Sequence, residues 1–341
     1  MATSTRYQAW SESLRSLLRR PPFLAGVTLL SFYVATAMVA PFLYPRTLTA
    51  IPVDTALLVH CSAPQGPTLQ FFPFSVGDHP LGQTEYMGFG VAQGLIAGSR
   101  WDLFLISAIT VPSTVIGTFL GLTSGTYGGW VDRVVMMVTD AFLSVPYFVL
   151  VILVFVIALP RVPPTEGPYV FIGAMNGVMW APFTRVVRGE ASRVRTTTYV
   201  ESAKASGASS GRILLHHILP NSASPALAQV PVTVALTLTF IITSQFITTA
   251  IITSGGTSCS TMGSGLSSLA PVVPRFNYPE WGGILSAGLA FTGGWLPQPD
   301  HPFGVYWWGA LFPGVWIAMF GLSIVLISDG VRDWLSPKAR K

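Results

Sequence analysis

The sequence predicts an all-α membrane protein of six membrane-spanning helices, with both termini cytoplasmic, a cytoplasmic helical hairpin and two long external loops. Three observations predict it. Half of the 341 residues are apolar and only 10% are charged, against roughly 25% charged in an ordinary soluble domain. Six apolar stretches lie near the ~20 residues that a helix needs to cross a hydrocarbon core of about 30 Å. All but four of the 19 Lys and Arg residues (Arg46, Arg100, Arg161 and Arg275) collect in the segments this topology places inside, where positive charge resists translocation. The net charge of +5 is thereby accounted for. No basic patch interleaved with aromatics stands apart to suggest nucleic acid.

Taken in order, residues 1–22 are a basic cytoplasmic tail and residues 23–43 the first span. A basic start before an apolar run resembles a secretory leader. The run nevertheless stays uncharged from Pro21 to Pro45, beyond the roughly 7–15 residues of a leader, and no small-x-small cleavage site closes it. Residues 44–102 form the first external loop. The remaining spans, at 103–124, 134–159, 169–187, 223–253 and 305–327, build a membrane core over residues 103–328. The fourth is the shortest, diluted by Asn176, Pro182 and several glycines. Residues 188–222 form a cytoplasmic loop, 254–304 a second external loop, and 329–341 a cytoplasmic tail. An odd number of spans would put the basic C-terminus outside, which favours the even count. The uncharged segment from Trp281 could hide a further crossing. Its Gly and Pro density instead favours a segment lying at, or dipping into, the outer interface. The only two cysteines, Cys61 and Cys259, fall one in each external loop. They are a disulfide candidate in an oxidising exterior, or two free thiols.

The stretch "TTTYVESAKASGASSGRILLHHILPN", from Thr196 to Asn221, is built for a water-facing surface between apolar segments. Thr198 and Glu201 have capping-box spacing, so a helix starts near Tyr199. Gly207 suits the left-handed residue that ends it, and Ser209 or Ser210 can cap a second helix running toward Pro220. Val200 and Ala203 share one face of the first helix. Two readings fit: an amphipathic hairpin resting on anionic headgroups, or a preorganised element that docks its exposed apolar side chains in a partner's groove.

"ESAKASG", a gap of nine residues and "HILPN" resemble the cytoplasmic signature of permease subunits of bacterial and archaeal ABC importers: Glu-Ala-Ala, three residues, Gly, nine residues, then hydrophobic-x-Leu-Pro. Glu201, Ala203, Gly207, Leu219 and Pro220 match, with Ser202 in place of the usual Ala. The ending is similar to the dipeptide, oligopeptide and nickel branch, as are "HPLG" at His79, "GTYGGWVDR" at Gly125, "SVP" at Ser144, "PEWG" at Pro279, "WWGALFPG" at Trp307 and "SDGVRDWLSP" at Ser328. "QTEYMGFG" after "HPLG" departs from that branch, lacking its Asp and its Arg-Asp pair. The resemblance implies that Tyr199, Val200, Glu201, Ala203, Lys204, Gly207, Leu219 and Pro220 form a coupling helix seated in an ATPase subunit. It also implies a second homologous permease, two ABC ATPases and an extracytoplasmic substrate-binding protein as partners, in a multi-pass protein of the plasma (inner) membrane. Peptide is the substrate class implied first, with oligosaccharide as the alternative.

No phosphate-binding loop of the Gly-x4-Gly-Lys-Ser/Thr kind occurs in the chain, so ATP and Mg²⁺ are expected on the ATPase partners and no cofactor on this subunit. No catalytic constellation is found, and no metal site: His216 and His217 are adjacent and do not share a helix face. Asp140, inside the third span, suits either a proton-coupled, ATP-independent transporter or a carboxylate capped by a neighbouring helix. Gln245, Thr248 and Thr249 in the fifth span could line a translocation path or bond the preceding turn's carbonyls.

Overall fold

The computed structural model describes residues 20–43, 70–71, 74–75, 81, 90–158, 161–162, 166–254, 280–290 and 308–335. Among them the chain is a helical bundle. Its elements are α1 (Pro21–Leu43), β1 (Gln70–Phe71), β2 (Phe74–Ser75), α2 (Val91–Tyr127), α3 (Gly129–Ser144), α4 (Tyr147–Ala158), α5 (Gly167–Arg195), α6 (Thr198–Ala205), α7 (Ser210–Ile213), a π-helical turn (Leu214–Ile218), α8 (Leu219–Ser254), α9 (Trp281–Ala290) and α10 (Trp308–Leu335). Besides the helices, β1 and β2 make a two-residue antiparallel pairing. Cys61 and Cys259 lie outside the described residues.

Among the described residues five helices are long and apolar enough to cross a membrane: α1, α2, α5, residues Ala226–Ser244 of α8, and Trp308–Asp333 of α10. The expected third span is instead broken into α3 and α4, of 16 and 12 residues. Pro146 is the cause. It disfavours the helical conformation at the residue before it, and Val145 is extended at φ −102° and ψ 134°. Two other expectations shift. Helix α2 begins at Val91 rather than at residue 103, taking the last dozen residues of the expected external loop. The fourth span is longer than its hydropathy suggested, because α5 continues through the basic stretch to Arg195.

Helices α2 and α5 form the tightest pair. A Cβ added at Gly117, Gly121 or Gly125 would lie 2.6–2.7 Å from the Cβ of Phe183, Val187 or Ala191, so the spacing "GTFLGLTSG" lets the two backbones approach where larger side chains would hold them apart. At the other end of the seam Asn176 ties the helices together: its side chain accepts from Ser113 Oγ at 2.9 Å and donates to the Ala108 carbonyl at 3.0 Å. These contacts advance in the same direction along both helices, so α2 and α5 run parallel. The chain must therefore return between them, and α3 with α4 makes that return.

Helices α1 and α10 pack antiparallel. Gly26 abuts Ser323 and Ile327, and Gly330 abuts Phe23. This brings Arg20 and Asp333, near the two ends of the chain, to 3.6 Å. Between this pair and α2 sits Trp281, the first residue of α9 and 1% exposed. Its ring contacts Tyr33, Trp316 and Phe320, and its indole N–H donates to the Leu95 carbonyl at 3.0 Å. At ten residues α9 is too short to cross a bilayer, and it is packed among α2, α8 and α10.

Candidate functional site

The hairpin of α6, α7 and the π-helical turn is fixed by local chemistry at each of its bends. Helix α6 begins one residue earlier than the capping-box spacing suggests. Thr197 is the N-cap, and its backbone carbonyl accepts from Val200 and Glu201 at 3.0 and 3.1 Å. The Thr198–Glu201 box does not form. Thr197 Oγ1 turns back instead and donates to the Val194 carbonyl at 2.6 Å, joining the end of α5 to the start of α6.

The bend is a Schellman motif. Gly207 N–H donates to the Lys204 carbonyl at 2.9 Å and Ala208 N–H to the Ala203 carbonyl at 3.1 Å. Gly207 holds φ +79°, a conformation that costs any residue with a Cβ about 1–2 kcal/mol. Ser209 then caps α7, its hydroxyl accepting from Arg212 N–H at 3.4 Å.

The second arm does not stop at Pro220 as expected from the sequence, but runs on through the π-helical turn into α8. Proline explains the wide turn: Pro220 has no N–H and its ring crowds the carbonyl four residues back. The ladder widens by one residue, so that Leu219 N–H donates to the Leu214 carbonyl. Asn221 Nδ2 then donates to the His217 carbonyl at 2.6 Å. The Leu-Pro-Asn ending is thus a local device that widens a turn and satisfies a carbonyl exposed by it.

Val200 is fully buried, which corrects the expectation of an exposed docking side chain. It packs with Val194, Ile213 and Ile218, with Ala203 and Leu219 beside them, and anchors α6 to the bundle. The outward face carries Tyr199, 43% exposed, with Glu201, Lys204 and Gly207 also exposed. Tyr199 lies over His217 at a ring separation of 6.3 Å. Pro220 is exposed at the start of α8. Gln245, Thr248 and Thr249 fall on the last turns of α8, and their side chains lie outside the described ones. Among the described residues no cluster of His, Cys, Asp or Glu is able to hold a metal ion.

Two ion pairs join α5 to α3 near the hairpin, and a third lies within α5. Arg188 of α5 grips Asp132 of α3 through two hydrogen bonds, 2.9 Å from Nε and 2.6 Å from Nη2, and Ser124 of α2 donates to the same carboxylate. Arg185 pairs with Asp140, the neighbouring-helix partner that one reading of this carboxylate required. Glu190 pairs with Arg193 along α5. Sequence reasoning assigned Asp132 no partner. The signal available was the quoted "GTYGGWVDR", which closes α2 and places this acid at the first turn of α3.

Comparison with known proteins supplies the family. Residues 117–341 match the binding-protein-dependent transport system inner membrane component. The chain is 28% identical to the dipeptide transport system permease protein of Alkalihalophilus pseudofirmus over 98% of this chain and 92% of that one. It is 32% identical to the oligopeptide transport system permease protein of Bacillus subtilis over 77% and 73%. It is 29% identical to the probable D,D-dipeptide transport system permease protein of Escherichia coli over 75% and 72%. With its bundle of apolar helices, the chain is a multi-pass protein of the inner membrane and belongs to the binding-protein-dependent ABC transport permeases, as a transport subunit and not an enzyme.

Proposed function

We propose that this chain lines one wall of a peptide-import path, the other wall being a second, homologous permease, and that the α6–α7 hairpin receives motion from an ATPase subunit docked below. ATP and Mg²⁺ belong to two such ATPases, and a binding protein delivers the peptide from outside. Peptide is favoured over oligosaccharide because the relatives above are named for dipeptide and oligopeptide transport.

The observation that carries the reading is the hairpin's construction. A fully buried Val200, a Schellman bend and a capped α7 give it one shape, while Tyr199, Glu201 and Lys204 face outward. A preorganised protrusion of this kind loses little entropy on binding and can transmit force. The broken pair α3–α4 is read as the sixth crossing, with both termini and the hairpin cytoplasmic, where most Lys and Arg residues lie. An ATP-independent transporter has no need of such a protrusion.

Gly207→Val tests it. Space around Gly207 is open, so the penalty is purely backbone strain, about 1–2 kcal/mol. Reconstituted with its partners, the variant is expected to insert normally and hydrolyse ATP, with uptake per ATP reduced about tenfold, the equivalent of that strain. Undiminished uptake per ATP would overturn the coupling assignment, and uptake without nucleotide would favour the ATP-independent reading.

A further inference from the structure

Two acids meet where α9 docks on α2. Asp102 is 1% and Glu280 4% exposed. Asp102 Oδ2 accepts the backbone N–H of Trp281 at 2.9 Å, and Glu280 is the residue before Trp281, its own carbonyl accepting from Ile284 N–H at 3.1 Å to open α9. Among the described residues, buried Asp102 Oδ1 and Glu280 Oε2 have no hydrogen-bond partner.

No cation compensates them among the described residues. On α2 the nearest is Arg100, which is exposed. Helix α8 carries no Asp, Glu, Lys or Arg at all. The charged residues of α10 are Asp329, Arg332 and Asp333, in its last turns and far from Trp316 and Phe320, which face the site. Helix α1 contributes Tyr33, whose hydroxyl is committed to the Trp316 carbonyl at 2.6 Å. On α5 the charges Arg185, Arg188, Glu190, Arg193 and Arg195 lie toward its far end, and Tyr169 at its near end is 65% exposed.

Two adjacent buried carboxylates cannot both stay ionised at modest cost, because each loses its hydration and each repels the other. Trp281 N–H marks Asp102 as the hydrogen-bond acceptor, also the favourable place for negative charge at the start of a helix. That leaves the proton with Glu280. Burial pushes the Glu280 carboxyl well above its ordinary range, and the charge on Asp102 adds to the effect.

We propose that Asp102 and Glu280 form a proton-held latch: while the pair keeps one proton, α9 stays docked on α2 through Trp281, and when that proton passes to bulk water the two like charges push α9 away. The latch stands on the packing of this chain alone and is independent of the ATPase-coupling reading. Trp281 also bridges toward α1 and α10, so release would loosen the junction of four helices.

The sign follows from a raised carboxyl. Its contribution to docking is complete below its free value of about 4.3 and is lost as pH rises toward its value in the docked state. The test is hydrogen exchange of segment Trp281–Ala290 in the full chain in lipid nanodiscs, corrected for the intrinsic pH dependence of exchange. Wild type is expected to lose at least about tenfold protection as pH rises from about 4 to about 9, whereas in Glu280→Gln, permanently neutral and nearly isosteric, protection varies distinctly less with pH. If Glu280→Gln does not fold, Asp102→Asn serves: with one acid the repulsion is gone, and protection varies less with pH than in wild type. Parallel pH profiles in wild type and the folded variant would overturn the proposal. So would protection that follows Na⁺ concentration at fixed pH, the mark of a metal cation held between the acids.

Discussion

Asp132 is gripped from two sides, by the Arg188 guanidinium and the Ser124 hydroxyl, while Glu190 and the exposed Arg193 make a pair three residues apart on one helix. Charge alone does not distinguish them; geometry does. A bidentate fork between two helices holds tertiary structure together, whereas a pair within one helix stabilises only that helix. Double-mutant cycles read by thermal unfolding in detergent are expected to give about 1 kcal/mol of coupling for Asp132→Asn with Arg188→Gln, and distinctly less for Glu190→Gln with Arg193→Gln. Equal couplings would show that the Asp132 fork is no more than a surface pair. At this scale the sequence was legible where one residue has one physical use. Gly207 at a bend and Ser209 at a cap are such cases. It was less so where neighbours compete. Thr197 and Thr198 are chemically identical, and the one that caps is decided by Val194, whose carbonyl takes the Thr197 hydroxyl. Val200 was misread as exposed because the partners that bury it, Ile213 and Ile218, arrive from across the bend.

Helices show the same division. Hydropathy located α1, α5, α8 and α10, since a lipid-facing helix announces itself by length and apolarity. It passed over the break at Pro146, because a window average counts proline as mildly unfavourable and is blind to the extended φ and ψ that it favours at Val145. The Gly117, Gly121 and Gly125 repeat was present in the sequence at a spacing of four, yet only the structure identifies α5 as the helix that fills it. Its weight can be measured. Gly121→Val places carbon 2.7 Å from Val187 Cβ, forcing α2 and α5 apart at a cost of about 1–3 kcal/mol or more. The thermal midpoint in detergent should fall by several degrees. Gly189→Ala, exposed on α5 with nothing within 4 Å of the new Cβ, should leave it unchanged or raise it, since alanine is the better helix former. A midpoint for Gly121→Val that matches Gly189→Ala would mean that the glycine seam does not hold the pair together.

Across the whole molecule, direction of travel decides how the bundle sits in a membrane. Parallel α2 and α5 require a return between them, and antiparallel α1 and α10 bring Arg20 within 3.6 Å of Asp333; in the topology proposed above the broken pair α3–α4 makes that return as a crossing, although neither half is long enough alone. The sequence located this crossing at residues 134–159 by apolar length without its break, whereas the opposition of Asp102 to Trp281 joins residues 179 apart in the chain, beyond the reach of any local pattern. The test is vectorial labelling of single cysteines, in a background with Cys61 and Cys259 changed to serine. Tyr169→Cys, exposed at the start of α5, should react with an impermeant maleimide from outside intact cells, and Ser202→Cys, on the outward face of α6, only after the membrane is opened. Because a helix of 29 residues separates Tyr169 from the hairpin, their opposite labelling establishes that α5 spans. Adding Trp130→Cys, exposed in the first turn of α3, completes the circuit: it should label with Ser202→Cys and against Tyr169→Cys, since only a crossing by α3–α4 carries the chain from Trp130 to Tyr169 on opposite faces. Labelling of Trp130→Cys and Tyr169→Cys from the same side would remove that crossing and, with it, the parallel path of α2 and α5 through the bilayer.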